Sequence, residues 1–309
     1  MLRFVTLGTS AAVPTLRRGV SAHLLQYEGE NILFDCGEGT QLALMKQHLG
    51  MHNISQIYIS HWHADHFAGL IGLLQTMGLE GRLAPLTLRG PVGTKEAMGH
   101  LMNTGYGKTN YQITIEEMEP GETLEFENRH GSRYSIRAFK TRHVIESLGY
   151  VFQEAPARQI NKKRMKELGL EASPQMGRIK KGETVTVNGK TIAPEDVLSE
   201  VPGRKIVYTG DSAYCEQTIK AAMDADLLIH DATFSEETKR PEYGHASARE
   251  AAGIADQANV KQLVLVHIGR KFDQTPEVLE REAREVFWRT EVAEDGAMYE
   301  INKRRPDMQ

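Results

Sequence analysis

Short apolar segments alternate with helix-like stretches along both halves of the chain. Segments of about four to eight mostly apolar residues, bounded by glycine and polar residues, are typical of β-strands. In the first half we predict strands at residues 2–7, 22–27, 31–35, 56–59, 86–89, 111–115, 122–127, 134–140 and 150–152, with helices at 40–49 and 67–77. In the second half we predict strands at 205–209, 226–229 and 262–266, with helices at 215–223, 247–257 and 276–290.

The frequency of hairpins in this pattern decides between fold classes. The turn Tyr27-Glu28-Gly29-Glu30 joins two predicted strands directly, and residues 111–152 have the pattern of an antiparallel set. A doubly wound sheet would need fewer hairpins, because its parallel strands are joined through helices. We therefore predict an α/β fold of the four-layer αββα type, formed by a single domain over residues 1–309.

Residues 155–202 interrupt this pattern. The segment contains four prolines, few large apolar residues and one short helical stretch at 161–168. We interpret it as an inserted, flexible and protruding arm, and a surface excursion of this length usually has a function. Within it, residues 158–182 have eight basic and two acidic residues, a net charge of +6 that leaves −10 for the rest of the chain. A basic island of this kind indicates either a contact with a phosphate backbone or a solvated helix face, and charge alone leaves both open.

Composition bounds the class of protein. The chain has 40% hydrophobic and 25% charged residues, which is ordinary for a globular protein. Its two cysteines, Cys36 and Cys215, are too few for a disulfide framework or a thiolate zinc site, so a reducing compartment is expected. No apolar run approaches the roughly 18 residues of a membrane span. We therefore expect a cytoplasmic protein.

The segment His61-Trp62-His63-Ala64-Asp65-His66 is the strongest candidate for chemistry. It directly follows the apolar residues 57–59 and provides four metal-ligand side chains. Imidazole and carboxylate groups suit zinc and similar borderline metals. If other ligands come from later in the chain, these four exceed what one tetrahedral ion needs, which suggests two metals in one site. The alternative is an exposed polar loop that is rich in histidine by chance.

Three further ligand-type residues lie at the ends of predicted strands. His143, Asp211 and His267 each follow an apolar segment, at a position where side chains can converge. Any one of them alone would more often be a structural residue. Together with the first segment they give seven ligands, which matches a two-metal site, and Asp211 has a carboxylate that could bridge two ions.

Several motifs resemble the ribonuclease Z (tRNase Z) branch of the metallo-β-lactamase superfamily. The metal motif is His61-x-His63-x-Asp65-His66. Residues 7–15 (Leu-Gly-Thr-Ser-Ala-Ala-Val-Pro-Thr) resemble the opening strand and loop of that branch, and residues 34–41 (Phe-Asp-Cys-Gly-Glu-Gly-Thr-Gln) resemble its second motif. Residues 229–234 and 245–247 resemble its His-Glu-Ala-Thr and His-Ser-Thr stretches, with Asp231 in place of the usual Glu. The resemblance runs from about residue 3 to about residue 272.

The resemblance implies a catalytic arrangement with a hydroxide between two zinc ions as the nucleophile. Asp65 would orient or deprotonate the attacking water, and His245, paired with Asp231, would protonate the departing 3′ oxygen. Asp35 would be the partner of a metal ligand, although a structural aspartate at a strand end is an open alternative. By resemblance, one zinc ion is held by His61, His63 and His143, the other by Asp65, His66 and His267, and Asp211 bridges them.

The resemblance also implies a substrate and a partner. In this family the insertion before the Asp211 strand is a flexible arm that clamps the tRNA elbow, and the chain is expected to form a homodimer in which one subunit's arm presents RNA to the other's metals. The candidate RNA-binding residues are Lys162, Lys163, Arg164, Lys166, Arg178, Lys180 and Lys181.

The leading hypothesis is a zinc-dependent endoribonuclease that removes the 3′ trailer from precursor tRNA and leaves a 3′ hydroxyl. One alternative is another hydrolase of the same fold, such as a phosphodiesterase or arylsulfatase that acts on small esters. A second alternative is a non-catalytic RNA-binding protein with a relic metal site.

Overall fold

The structure is a computed structural model that describes residues 1–104, 109–169, 175–187 and 189–304. Its strands are β1 (Leu2–Gly8), β2 (Ala22–Tyr27), β3 (Glu30–Cys36), β4 (Ile54–Tyr58), β5 (Leu86–Gly90), β6 (Ile113–Glu117), β7 (Thr123–Glu127), β8 (Arg133–Lys140), β9 (Leu148–Glu154), β10 (Ala157–Ile160), β11 (Val185–Val187), β12 (Lys190–Ile192), β13 (Leu198–Val201), β14 (Lys205–Tyr208), β15 (Leu227–Asp231), β16 (Leu263–Val266), β17 (Thr290–Val292) and β18 (Met298–Glu300). Its α-helices are α1 (Thr40–Lys46), α2 (Ala64–Phe67), α3 (Leu70–Leu79), α4 (Thr94–Met102), α5 (Lys162–Glu167), α6 (Gln175–Lys180), α7 (Pro194–Val197), α8 (Glu216–Ala222), α9 (Ala248–Gln257) and α10 (Glu277–Arg284). The chain divides into two compact units, the first comprising Met1–Phe152 and Lys205–Ile301, the second Gln153–Arg204 with the described residues 302–304.

The first unit contains two seven-stranded sheets within the described residues. One sheet has the strand order β18-β1-β2-β3-β4-β5-β6, and the other has the order β17-β16-β15-β14-β9-β8-β7. Strands β1 to β3 form an antiparallel meander, whereas β3 to β6 and β14 to β17 are parallel. The parallel sets therefore place the carboxyl ends of several strands at a common edge of each sheet.

Alternating side chains create three apolar layers in the first unit. Phe34 of the first sheet and Tyr208 of the second belong to a shared cluster between the sheets. Leu33, directly before Phe34 in β3, points to the opposite face of the first sheet and packs there with the helices α1, α3 and α4. On the outer face of the second sheet, Val207 packs with α8, α9 and α10. The four-layer αββα sandwich predicted from the sequence is confirmed.

The second unit has an apolar cluster of its own. Strands β10 and β13 pair antiparallel, as do β11 and β12. Asn161 caps α5 by accepting a hydrogen bond from the Arg164 amide at 3.1 Å, in agreement with the helix predicted at 161–168. The polar composition of this segment did not indicate a core, but the cluster contains Met165, Met176, Ile179, Val185, Ile192, Val197 and Leu198.

The helix predicted at 276–290 is too long. Helix α10 ends at Arg284, and residues Thr290–Val292 form β17, which pairs parallel with β16. The chain turns because the Thr290 hydroxyl donates to the Phe287 carbonyl at 2.6 Å and the Arg284 guanidinium donates to the Thr290 carbonyl at 2.8 Å. Helix α4 and strand β18 were not predicted, and the helix predicted at 67–77 is divided into α2 and α3. Among the described residues, no helix has the length and apolar character that a membrane crossing requires.

Candidate metal centre

The candidate ligands of the first segment lie on a loop and a single helical turn. Strand β4 ends at Tyr58, so that His61 and His63 lie in the loop that follows, and Asp65 and His66 lie in α2. The His66 amide donates to the His63 carbonyl at 2.9 Å, which closes this turn. The segment thus directs all four ligands from the carboxyl end of one parallel strand.

The three later candidates also lie just beyond strand ends. His143 follows β8, Asp211 follows β14 and His267 follows β16. The backbone bends sharply at two of these exits, because His267 has a φ of 56° and Gly210, directly before Asp211, has a φ of 59°. A Cβ atom on Gly210 would lie 2.6 Å from the Cβ of Ser60, so this position has no room for a side chain.

All seven side chains converge on one cleft, where two sets of ligand atoms share Asp211. The Nε2 atoms of His66 and His267 lie 3.2 Å and 3.3 Å from the Asp211 carboxylate. The His61 Nε2 lies 3.6 Å from that carboxylate, and the His267 Nε2 lies 3.3 Å from Asp65. Ligand atoms lie within 4.8 Å of one another in the set His61, His63, His143 and Asp211 and in the set Asp65, His66, Asp211 and His267.

This donor arrangement fits divalent metal ions. The His66 Nε2 and the Asp211 Oδ1 are buried without a hydrogen-bond partner among the described residues, a costly state that a cation between them would relieve. Burial and the neighbouring histidines lower the pKa of His61 well below its usual value, so this imidazole is neutral and free to coordinate. Nitrogen and carboxylate oxygen donors suit zinc and similar ions.

A hydrogen-bond partner orients each imidazole whose Nε2 faces the cleft. The Nδ1 atoms of His61, His143 and His267 lie 3.0, 3.1 and 2.9 Å from the Ser60 hydroxyl, the Gly244 carbonyl and the Thr233 hydroxyl. Such partners fix ring orientation and tautomer at metal sites. The ligand geometry is thus held before any ion binds.

Asp35 plays the same role for His66. Its Oδ2 lies 2.7 Å from the His66 Nδ1, in agreement with the ligand-partner prediction, and it also accepts hydrogen bonds from the Ser60 hydroxyl at 2.8 Å and the Tyr208 hydroxyl at 2.6 Å. Its Oδ1 accepts from the Ser60 amide at 2.7 Å. Tyr208 was missed in the sequence because it ends an apolar strand and looks like an ordinary core residue.

The carboxylates of the cleft raise the pKa of His267 against the effect of burial. Burial would lower the pKa of His267, but Asp211, Asp231 and Asp65 outweigh it and raise this pKa to about 10. Burial would likewise raise the pKa of Asp211, but His267 and His66 hold it well below its usual value. A metal ion that binds here must therefore displace a proton from His267, and metal affinity should fall at acidic pH.

His245 and Asp231 form a hydrogen-bonded pair beside the ligands. The His245 Nδ1 lies 2.7 Å from the Asp231 Oδ2, so the aspartate in place of the family's glutamate still reaches the imidazole. Burial alone would lower the pKa of His245, but the charge of Asp231 and this hydrogen bond raise it. The pairing engages Nδ1 of a histidine that lines the metal cleft.

A third group of close ligand-type atoms consists of Asp211, Asp231, His245 and His267. Both Asp231 oxygens are already engaged, because Oδ1 accepts from the Thr233 amide at 2.9 Å and Oδ2 accepts from the Ser212 amide at 3.2 Å. Asp231 therefore suits the role of a hydrogen-bond partner better than that of a metal ligand.

The predicted RNA-binding residues belong to the second unit, whereas the candidate ligands belong to the first. All seven are exposed, on α5, on α6 or, for Lys181, directly after α6. Lys162, Lys166 and Lys180 line a cavity of about 950 Å³ within that unit, together with Arg158. Arg178 is engaged in an ion pair with Glu183 at 2.7 Å.

Comparison with known proteins gives two family models and many full-length relatives. Residues 2–161 match the model described as Anti-Pycsar protein Apyc1, and residues 178–268 match the Beta-lactamase superfamily domain. Ribonuclease Z of Methanosarcina mazei is 42% identical, covering 99% of this chain and 100% of its own, and ribonuclease Z of Archaeoglobus fulgidus is 39% identical, covering 97% and 98%.

Comparison with solved structures gives similar proteins of the same kind. The short form of human tRNase Z has a TM-score of 0.68 and 28% identity, with 97% of this chain and 100% of that chain covered. The metallo-β-lactamase fold protein YhfI of Bacillus subtilis has a TM-score of 0.70 at 21% identity, covering 96% and 98%, which supports the fold alone. The chain belongs to the ribonuclease Z family, whose members are metal-dependent endoribonucleases built on the metallo-β-lactamase fold.

Proposed function

We propose that this protein is a zinc-dependent endoribonuclease that removes the 3′ trailer from precursor tRNA and leaves a 3′ hydroxyl. The observation that carries the proposal is the convergence of seven ligand side chains into two sets that share Asp211, with the His245–Asp231 pair beside them. The relatives named ribonuclease Z support the RNA substrate.

The residues of this chain have distinct roles in the proposed reaction. His61, His63 and His143 would hold one zinc ion, Asp65, His66 and His267 the other, and Asp211 would bridge them. When bound, the ions supply Lewis acidity, which lowers the pKa of a coordinated water and stabilises charge on the phosphate oxygens.

Two carboxylate contacts position the proton-transfer groups. The Ala12 amide donates to the Asp65 Oδ2 at 3.0 Å, which aims this carboxylate across the cleft to orient and deprotonate the attacking water. Asp231 holds the His245 Nδ1, and His245 donates its Nε2 proton to the 3′ oxygen as the phosphodiester bond breaks.

The test is cleavage of a trailer-bearing precursor tRNA transcript. We expect one discrete cut that leaves a 3′ hydroxyl, is abolished by EDTA and is restored by zinc, with about two zinc ions per chain by elemental analysis. Asp65→Ala should lose this activity. Zinc-loaded protein that leaves the transcript intact would refute the proposal, and an unaltered Asp65→Ala variant would favour the non-catalytic alternative.

We also propose that the basic second unit holds the tRNA. Lys162 and Lys166 are exposed and have no ion-pair partner within the described residues, so they can contact phosphates. Lys162→Glu with Lys166→Glu should raise the KM for precursor tRNA. The slope of the logarithm of the binding constant against the logarithm of salt concentration should become less steep by about one for each lysine. Turnover of a small phosphodiester should stay unchanged. Lys220→Glu, on α8 of the first unit, is the control.

The competing candidate is a phosphodiesterase or arylsulfatase that acts on small esters. Its support is that the fold also occurs in yeast PDE1, at 13% identity and a TM-score of 0.61, so the fold does not select the substrate. Such an enzyme would hydrolyse small esters efficiently and leave precursor tRNA intact. The lysine variants would then change no measured activity.

We further propose a cytoplasmic homodimer in which the second unit of one subunit presents RNA to the metals of the other. The buried, unpaired Cys36 and Cys215 fit a reducing compartment. Mixing Asp65→Ala subunits with subunits that have Lys162→Glu and Lys166→Glu should restore activity, because a mixed dimer contains one intact pair of elements. Sedimentation at the mass of a single chain, or no recovery on mixing, would contradict this assembly.

A further inference from the structure

A cleft of about 340 Å³ in the first unit is lined in part by residues that neighbour candidate ligands along the chain. Trp62 and Ile145 line it, and both are within two residues of a candidate ligand in the sequence. Trp62 lies between His61 and His63, and Ile145 lies two residues after His143. The cleft therefore adjoins the half of the metal centre that these three histidines form.

The indole of Trp62 is fixed in place. Its Nε1 donates to the Thr94 hydroxyl at 3.0 Å, and its ring centroid lies 5.0 Å from that of Phe67. The Thr94 hydroxyl in turn donates to the Pro91 carbonyl at 2.7 Å. The polar edge of the indole is thus satisfied, and the half-buried ring forms a rigid wall of the cleft.

The other walls combine apolar surface with negative charge. Val92 is 61% exposed and Ile145 39% exposed, so both offer apolar surface that the fold leaves in contact with solvent. Glu96 and Glu146 also line the cleft, and no lysine or arginine of the described residues does. Two carboxylates repel phosphate groups, whereas a flat, uncharged group with an apolar face fits both the charge and the walls.

We propose that this cleft is a nucleobase subsite, in which the base of a nucleotide beside the cleaved phosphate stacks on Trp62. The inference rests on the proposed ribonuclease function. A strand whose phosphate lies at the metals must place the adjoining nucleotides within reach of the loops that bear His63 and His143. The phosphates remain at the cations, and the acidic cleft accepts only the base.

Stacking on an aromatic side chain changes binding by about 5- to 150-fold for each base, the equivalent of about 1–3 kcal/mol. An abasic nucleotide at the stacked position should therefore lower kcat/KM by this factor. The wild type is tested on an intact trailer-bearing transcript and on two transcripts with an abasic nucleotide on either side of the cleaved phosphate. One of the two abasic transcripts should show the loss.

Two variants fill the cleft without touching a ligand. Ala97→Trp does so from helix α4, and Val92→Trp does so from the loop before it. Val92 is exposed, so its substitution removes no core packing. Both should cleave the intact transcript more slowly and lose the penalty for the abasic nucleotide. Lys95→Trp, an exposed position on the same helix outside the cleft, should keep the wild-type penalty.

The outcomes separate the subsite from the function on which it rests. Wild-type cleavage of all three transcripts at equal rates would overturn the subsite and leave the ribonuclease intact. A full abasic penalty in both cleft-filling variants would also overturn it. A metal-loaded wild type that cleaves no transcript would refute the proposed function itself.

Discussion

Tyr208→Phe tests whether one hydroxyl group couples the two sheets to metal binding. Tyr208 ends strand β14 of the second sheet, and its hydroxyl donates at 2.6 Å to Asp35 at the end of β3 in the first. The same Asp35 oxygen lies 2.7 Å from the His66 Nδ1. Burial and the charge of Asp35 raise the pKa of Tyr208 well above its usual value, so the hydroxyl stays a donor at all working pH values.

The size of the effect follows from the donors around Asp35. The substitution leaves three of the four, namely the Ser60 amide, the Ser60 hydroxyl and the His66 ring. A hydrogen bond to a charged group contributes about 1.5–3 kcal/mol, so the unfolding free energy of the metal-free protein should fall by about that amount. Loss of the partner of a ligating histidine typically weakens metal affinity about 10- to 100-fold. Asp35, the partner of His66, stays in place and loses only one donor, so Tyr208→Phe should weaken metal affinity by no more than the lower end of that range. Urea unfolding in EDTA measures the first quantity, and competition with a chromophoric chelator measures the second.

Tyr150→Phe is the matched control. Tyr150 is equally buried, but its hydroxyl donates to the neutral carbonyl of Ile59 at 2.7 Å and not to a partner of a ligand. It should lose only about 0.5–1.5 kcal/mol of unfolding free energy and keep its metal affinity. Unchanged metal affinity in Tyr208→Phe would refute the reasoning. An equal loss of metal affinity in Tyr208→Phe and Tyr150→Phe would also refute it.

Two other substitutions probe the proton donor and the backbone. Asp231→Asn removes the charge that raises the pKa of His245 against the effect of burial, so His245 should lose its proton at lower pH and the alkaline limb of the kcat/KM profile should move in that direction; a profile that coincides with the wild type would contradict this role. Gly210→Ala places a Cβ on a residue with a φ of 59°, 2.6 Å from the Cβ of Ser60. Gly131→Ala, at a φ of 76° with no neighbour nearer than 3.9 Å, should lose about 1–2 kcal/mol in urea unfolding from the backbone alone. Gly210→Ala should lose about 1–3 kcal/mol more unfolding free energy than Gly131→Ala because of the clash with Ser60. Equal losses in the two variants would show that this clash has no effect.

The layers of the fold could be predicted because the central strands of the first unit, such as β3, β15 and β16, bury both of their faces. Such strands appear in the sequence as short apolar runs, and the hairpins between them distinguish two sheets from one. Strand β18 escaped prediction because it pairs through only three residues, Met298, Tyr299 and Glu300, of which only Tyr299 is buried. Its position in the sheet depends on β1, almost 300 residues away, and no local pattern reports that pairing.

The same reasoning explains which parts of the site were accessible from the sequence. Candidate ligands such as His143 and His267 have distinctive chemistry, and their placement after apolar strands is a local pattern. Tyr208 and Asp35 are 173 residues apart and meet only because the two sheets pack face to face. The Tyr208 hydroxyl can therefore be assigned to the site only when the packing of the two sheets is known.

Three of the seven described non-glycine residues with a positive φ lie at the site. Ala12, Asp35 and His267 have φ values of 56°, 55° and 56°, in the left-handed region that costs a residue other than glycine about 1–3 kcal/mol. Contacts from distant parts of the chain hold each of them: Asp65 accepts from the Ala12 amide, four donors surround Asp35, and the residue after His267 donates its amide to the Thr9 carbonyl at 2.8 Å. Local preference would not select these conformations, so the tertiary structure must impose them where the ligands are aimed. Any substitution that relaxes one of these three backbones should therefore stabilise the local chain and, at the same time, misdirect a metal ligand.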